Sequence, residues 1–227
     1  HSFPTRRSSD LQITKVELKE YLTYDKKPLI LFDENTADLD LNIATTNGNI
    51  NLADLDFVSN TTSRTVAEGD SLSISFKAEL GGGNSIEQVY TIKAGDYVVG
   101  YELKINGLNQ NIVGNEVSID WRNSMQRFEQ NLEDSRNKST VRYYTLAEDQ
   151  DELKEISTHP QSERWNEGVK WVSFSQKFFN AGIISENGFS RGEFRTIPGI
   201  DTTVVKDASI VLGIPMEQAY AGAEMNY

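Results

Sequence analysis

Apolar and polar residues alternate one for one through much of the first half of the chain. Leu72, Ile74, Phe76, Ala78 and Leu80 share one parity, with Ser73, Ser75, Lys77 and Glu79 between them. A period of two puts the apolar side chains on one face of a strand and the polar ones on the other. The glycine-rich GGGN (81–84) predicts a turn into a partner strand, SIEQVYTI (85–92). Alternation resumes at Tyr97, Val99, Tyr101, Leu103 and Ile105 and closes on Asn106-Gly107. Asn47-Gly48, between LNIATT and NINLADL, is a hairpin signal, because both residue types accept the positive φ such turns need. Val117, Ile119 and Trp121 make a further strand, opened by Gly114-Asn115.

The period then changes. In WRNSMQRFEQNLEDSRNKS (121–139) the apolar residues Met125, Phe128 and Leu132 fall at i, i+3 and i+7, which predicts an amphipathic helix of about three to four turns. VRYYT (141–145) returns to strand composition, and the acidic stretch 147–168 reads as a surface excursion with at most a short helix. VKWVSFSQKFFNAGII (169–184) fits both templates: Trp171, Phe174 and Phe178 have helical spacing, while Val172, Phe174, Gln176 and Phe178 share a strand parity. Bracketing glycines (Gly168, Gly182) and the aromatic content favour strand. From Phe189 onward short strands are separated by Ile-Pro-Gly, Gly-Ile-Pro and Ala-Gly. Many short strands, frequent turns and one clear helix predict a mainly β protein, a large β-sandwich with one or more helices in its C-terminal half.

The first ten residues, HSFPTRRSSD, show neither period. Ser8, Ser9 and Asp10 follow the Arg6-Arg7 pair where a secretory signal needs an apolar run, so no export signal is read there. They match the translation of a sequencing adaptor. Residues 1–10 are therefore set apart from a domain expected over 11–227, and the chain is expected to be a gene fragment truncated at both ends.

The formal net charge is −12, and it becomes −13 once Arg6, Arg7 and Asp10 are removed. An acidic chain is a poor partner for a phosphate backbone, so nucleic acid is disfavoured. Direct docking on an anionic membrane surface through a basic patch is disfavoured for the same reason. With no cysteine, the chain has no disulfide frame, thiol nucleophile or Cys-ligated zinc. The longest apolar runs, LILF (29–32) and SIVLGIP (209–215), have strand length and fall short of the roughly 18 residues a membrane helix needs.

Candidate chemistry is thin. Outside the first ten residues the histidine is His159, which precedes Pro160 in a polar loop without a nucleophile signature or a second histidine beside it. Adjacent acidic pairs (Asp33-Glu34, Glu133-Asp134, Glu148-Asp149, Asp151-Glu152) are expected by composition alone in a chain with 34 acidic residues. Neighbours in sequence do not converge on one substrate by virtue of adjacency. GGGN lacks a phosphate-binding frame. Asn60-Thr-Thr62 and Asn137-Lys-Ser139 match the glycosylation pattern, which is frequent by chance. No enzyme, cofactor or metal site is expected. The strongest local feature is aromatic: Trp165, Trp171, Phe174, Phe178 and Phe179 read either as core packing or as an exposed face that docks a partner.

Four segments in order carry a family resemblance: ITKVELKEYLTYDKKPLILF, QVYTIKAGDYVVGYELKI, SIDWRNSMQRFEQNLEDSRNKSTVRYYT and GVKWVSFSQKFFNAGIIS. Together they resemble the large periplasmic domain of the YidC membrane protein insertase (the YidC/Oxa/Alb family), in its Bacteroidetes-like form, over about Ile13 to Tyr227. KWVSFSQKFFNAGII is the most specific piece. The resemblance implies a β-super-sandwich similar to galactose mutarotases. It further implies a segment facing the periplasm in a protein of the bacterial inner membrane, with the insertase groove in membrane helices outside this sequence. Implied partners are the Sec translocon with its accessory subunits, and nascent membrane proteins through the absent core. An alternative from another class is a carbohydrate-binding or mutarotase-like sandwich, for which His159 would have to supply the acid–base chemistry.

Overall fold

The computed structural model describes residues 13–59, 65–108, 111–147, 149–166, 168–217 and 223–226. The adaptor-like residues 1–10 and the triplet at 60–62 lie outside them. Strands dominate: β1 (Lys15–Leu22), β2 (Pro28–Asp33), β3 (Ala37–Thr45), β4 (Gly48–Asn51), β5 (Ser71–Gly81), β6 (Asn84–Lys93), β7 (Val99–Asn106) and β8 (Ile112–Gln126). A helix, α1 (Leu132–Asn137), precedes β9 (Thr140–Thr145), β10 (Gln150–Glu152), β11 (Gln161–Trp165), β12 (Val169–Ser175), β13 (Asn180–Phe189), β14 (Gly192–Pro198), β15 (Val204–Pro215) and β16 (Ala223–Asn226). The protein is mainly β, as the alternation predicts. The chain forms two compact units, one from Asp40–Val117 and from Ile214 onward, the other from Ile13–Leu39 and Ser118–Gly213.

In the first unit β16, β7, β6 and β5 are neighbours in one sheet, and β3 pairs with β4 through the Asn47-Gly48 turn. The alternation becomes a buried face by register. Phe76 lies opposite Gln88 and Ala78 opposite Ile86, while Ile86, Gln88 and Tyr90 face Ile105, Leu103 and Tyr101 across the next pair. Gln88 is the polar member of this face, and its carbonyl oxygen accepts from the Tyr101 hydroxyl at 2.8 Å. GGGN is the β5–β6 turn, with positive φ at Gly81, Gly82 and Gly83. Gly107, at φ +79, leaves room for a neighbour: a Cβ there would lie 2.3 Å from Asn84 Oδ1.

The second unit is a sandwich. One layer runs β10-β9-β12-β13 and the other β11-β14-β15-β8. Rings from the two layers meet between them. Tyr143 on β9 stacks on Phe194 of β14 at 4.6 Å, and Trp121 on β8 meets Phe174 of β12 edge-on at 4.5 Å. Such pairs add to the area burial that drives the layers together. The hairpin β1–β2 adds Phe32, which packs edge-on against Trp121.

The amphipathic helix expected through Met125, Phe128 and Leu132 is shorter than its pattern. β8 continues to Gln126, with Val117, Ile119, Trp121, Asn123 and Met125 all buried at period two. Asn123 is the polar residue that interrupts the apolar alternation and hides it in the sequence. Phe128 is buried in the loop that follows, and α1 starts only where Asn131 caps it by accepting from the Asp134 N–H. The acidic stretch contributes two short strands, β10 and β11.

Candidate functional site

The site follows from which way each side chain of β9, β12 and β13 points. These three strands are paired neighbours. Tyr143, Val172 and Ile183 stand in one row across them, and all three are fully buried. The next row, Tyr144, Trp171 and Ile184, must point the other way, away from the sandwich interior. Ile184 is 41% exposed, and Tyr144 and Trp171 are half-buried. The two rings of the row stack, with centroids 6.4 Å apart and planes 25° from parallel. Arg142, Ser173 and Gly182 form the adjacent outward row, where Arg142 is held by Glu152 and Glu155, each at 2.8 Å. The outward face of this layer is thus an apolar ridge of three residues beside an ordered charged cluster.

The five aromatic residues singled out in the sequence therefore have different surroundings. Phe174 is core, against Trp121. Trp165, at the end of β11 opposite Gly192, tilts against Tyr143 and is half-buried. Trp171 belongs to the outward ridge. Phe178 and Phe179 sit in the turn between β12 and β13, Phe178 62% exposed with the Lys177 ammonium over its ring at 4.9 Å. Phe179 meets Tyr21 at 5.4 Å and Phe128 at 5.9 Å, both edge-on. The preferred strand reading holds for Val172 and Phe174, which share a parity on β12 and are both buried, whereas the helical spacing joins an outward strand residue, Trp171, a core residue, Phe174, and a turn residue, Phe178. A register shift between Val169 and Trp171 turns Val169 inward and Trp171 outward. Tyr144 and Ile184 escaped the sequence reading because each is an ordinary strand residue until its cross-strand neighbours are known.

Of the ionisable residues named above, His159 and Asp134 make local contacts. His159 is exposed, and its Nδ1 lies 3.1 Å from the Thr158 hydroxyl. Lys177, with Lys138 beside it, lowers the Asp134 carboxyl below the usual range. The Asp201 carboxyl is lowered too, chiefly by the Val204 N–H and then by Thr203. Among the described residues no group of three or more His, Cys, Asp or Glu could hold a metal ion. Among the described residues the most deeply placed charge is Lys206 on β15, 2% exposed, whose ammonium donates to the carbonyls of Ser139 and Glu155. Burial depresses its pKa to about 8, against the opposing pull of Glu155 and Glu152.

Comparison with known proteins places this geometry in a family. The family model described as the YidC periplasmic domain matches residues 8–209. The chain belongs to the YidC periplasmic domain family. Relatives named membrane protein insertase YidC agree with this. That of Cytophaga hutchinsonii is 34% identical over 205 residues, covering 90% of this chain and 31% of the relative. That of Parabacteroides distasonis is 28% identical over 91% of this chain and 32% of its own. That of Amoebophilus asiaticus is 26% identical, over 86% and 33%. The chain thus spans about a third of the length of the curated relatives it matches. Within the match lie all three residues of the outward ridge and the five aromatic residues.

Proposed function

We propose that this domain is a non-catalytic recognition module of a membrane protein insertase. In this reading the full-length protein sits in the bacterial inner membrane, this segment faces the periplasm, and the inserting machinery lies in parts outside these residues. The observation that carries the reading is the match of residues 8–209 to the YidC periplasmic domain, with relatives named as insertases and roughly three times as long. Among the described residues no helix is long and apolar enough to cross a membrane, which fits a module working beside the bilayer-spanning part. The engagement of His159, Asp134 and Asp201 in local turns and ion pairs supports binding over catalysis.

The partner contact is assigned to the outward ridge of Tyr144, Trp171 and Ile184. An aromatic pair beside a branched aliphatic residue, flanked by an ordered arginine, has the composition of an interface hot spot. The partner is the Sec translocon through an accessory subunit, and nascent membrane proteins are the cargo of the full-length protein. A pull-down of purified Sec accessory subunits on the immobilised domain tests this. Retention by wild type and its loss in Trp171→Asp or Ile184→Asp supports the reading, provided the variants keep the wild-type circular dichroism. Equal retention by the ridge variants and wild type overturns it.

A further inference from the structure

The edges of the two larger sheets are β4, β5, β10 and β11. Three of them are short: β4 has four residues, β10 three, and β11 five, with Glu163 and Arg164 among them. β5 has eleven, and its stretch Ser71–Phe76 carries neither a charge nor a proline, the residues that usually blunt a long edge. One point of this edge is already paired. Val58 N–H donates to Lys77 O at 2.9 Å and Lys77 N–H to Val58 O at 3.0 Å, in an antiparallel bridge. Both backbone groups of Lys77 therefore point off the sheet. The β5–β6 register is unbroken from Ser71 to Glu79, so by alternation the N–H and C=O of Ser75, Ser73 and Ser71 point the same way. Among the described residues none of these groups has a partner on that side. The serine hydroxyls do not cap them: Ser73 Oγ lies 2.8 Å from Thr91 Oγ1, and Ser75 Oγ donates to the Glu87 carboxylate, both on β6.

Side-chain burial follows the edge pairing. Leu72, Ile74, Phe76 and Ala78 share the inward parity of β5. Ala78, beside the Val58 bridge, is 2% exposed, whereas Leu72, Ile74 and Phe76 stay half-buried. A strand laid antiparallel along Ser71–Ser75, as Val58 lies at Lys77, completes both the ladder and the apolar face. Ladder bonds engage main chain alone, so they accept many sequences, and the half-buried row adds a call for an apolar residue at every second position. Those are the properties of an extended, unfolded polypeptide. A second copy of this chain does not fit. Antiparallel pairing of two β5 strands about Ser73 brings Gly69 of the copy opposite Lys77, where Val58 already sits, and the Ala67–Asp70 turn fixes the copy's chain at that place.

We propose that the β5 edge binds unfolded polypeptide by strand addition, with the N–H and C=O groups of Ser71, Ser73 and Ser75 forming the ladder and Leu72, Ile74 and Phe76 packing against alternate apolar side chains of the added segment. The ridge of Tyr144, Trp171 and Ile184 is not used, so failure of either proposal leaves the other standing.

The test is amide hydrogen exchange, read by NMR on the full chain, with and without a peptide of alternating threonine and valine that has a lysine at each end and is long enough to span Ser71–Phe76. In the free chain the Ser71, Ser73 and Ser75 amides should exchange fast, and those of Ile74 and Phe76, bonded to β6, slowly. Saturating peptide should slow the three serine amides by about tenfold or more and leave Ile74 and Phe76 unchanged. The same peptide with N-methyl groups on two adjacent central residues, which block both of its edges, should slow none of them. Ser73→Pro removes an outward donor that the fold does not use, and should weaken binding of the unmethylated peptide by about tenfold while leaving thermal melting unchanged. Slow exchange of the three serine amides in the free chain, exchange unaltered by the peptide, or equal slowing by the methylated peptide overturns the proposal. Undiminished binding by a folded Ser73→Pro variant does so as well. Slowing that grows with protein concentration in the absence of peptide puts a second copy on the edge and also overturns it.

Discussion

Replacing Lys206 by methionine should abolish a specific pH dependence of stability. Lys206 is buried on β15 with its ammonium on two backbone carbonyls, and its pKa falls from the ordinary 10.5 to about 8 in the folded protein. The unfolded chain therefore binds more protons than the native state between these two values, so the free energy of unfolding rises with pH there. Below pH 8 both states are protonated, and the native state carries the full cost of the buried charge, about 3 kcal/mol from a difference of some 2.5 pH units. Raising the pH from 8 to 10 should relieve about 2 kcal/mol of it. Above pH 10 the trend reverses, because burial raises the pKa of Tyr143 and of Tyr90, and the unfolded state ionises those phenols first. Methionine keeps the volume and removes the charge, at the cost of two carbonyls losing a donor, about 1–3 kcal/mol each. The variant should therefore lack the rise that wild type shows between pH 8 and 10. Urea denaturation of both proteins at pH 7, 8, 9 and 10 measures this. An equal rise in both proteins, or a wild-type stability that falls from pH 8 to 9, would refute the reasoning.

The inward and outward rows of β12 make a paired prediction. Phe174→Ala should cost about 3–5 kcal/mol in urea denaturation, because the cavity opens between the layers against Trp121. Trp171→Ala should cost roughly half that or less, since its ring is half-solvated already; a loss as large as that of Phe174→Ala would place Trp171 in the core. Gly107→Ala should lower the melting temperature measurably, since it combines a left-handed backbone with a Cβ 2.3 Å from Asn84 Oδ1; an unchanged transition would contradict that geometry. Asn131→Ala removes the cap of α1 and should cost about 1 kcal/mol in the same denaturation experiment.

The strands of the first unit were legible because one face is apolar and the other polar: the alternation from Leu72 to Leu80 lies wholly within β5. Turn chemistry was equally plain at GGGN and Asn47-Gly48, where the backbone demands glycine. Legibility failed where a polar residue occupies a core position. Asn123 breaks the apolar period of β8, and the spacing of Met125, Phe128 and Leu132 then imitates a helix across a strand, a loop and a cap. The Val169–Trp171 bulge swaps faces without any mark in composition, so the outward placement of Trp171 had no local signal. The five aromatic residues share a stretch of sequence but have unrelated surroundings, and the ridge depends on Tyr144 and Ile184, brought beside Trp171 by pairing across three strands. Long-range register is a property of the sheet, and no local window contains it.

The central claim is that the outward face of β9, β12 and β13 recognises a partner while the inward face holds the sandwich together. The most direct measurement is photo-crosslinking in cells carrying the full-length insertase, with a photoreactive residue placed at Ile184 and, separately, at exposed Leu146 beyond the ridge. A crosslink to a Sec accessory subunit from position 184, and none from position 146, is the predicted result. Crosslinks of equal strength from both positions, or none from position 184, would contradict the account.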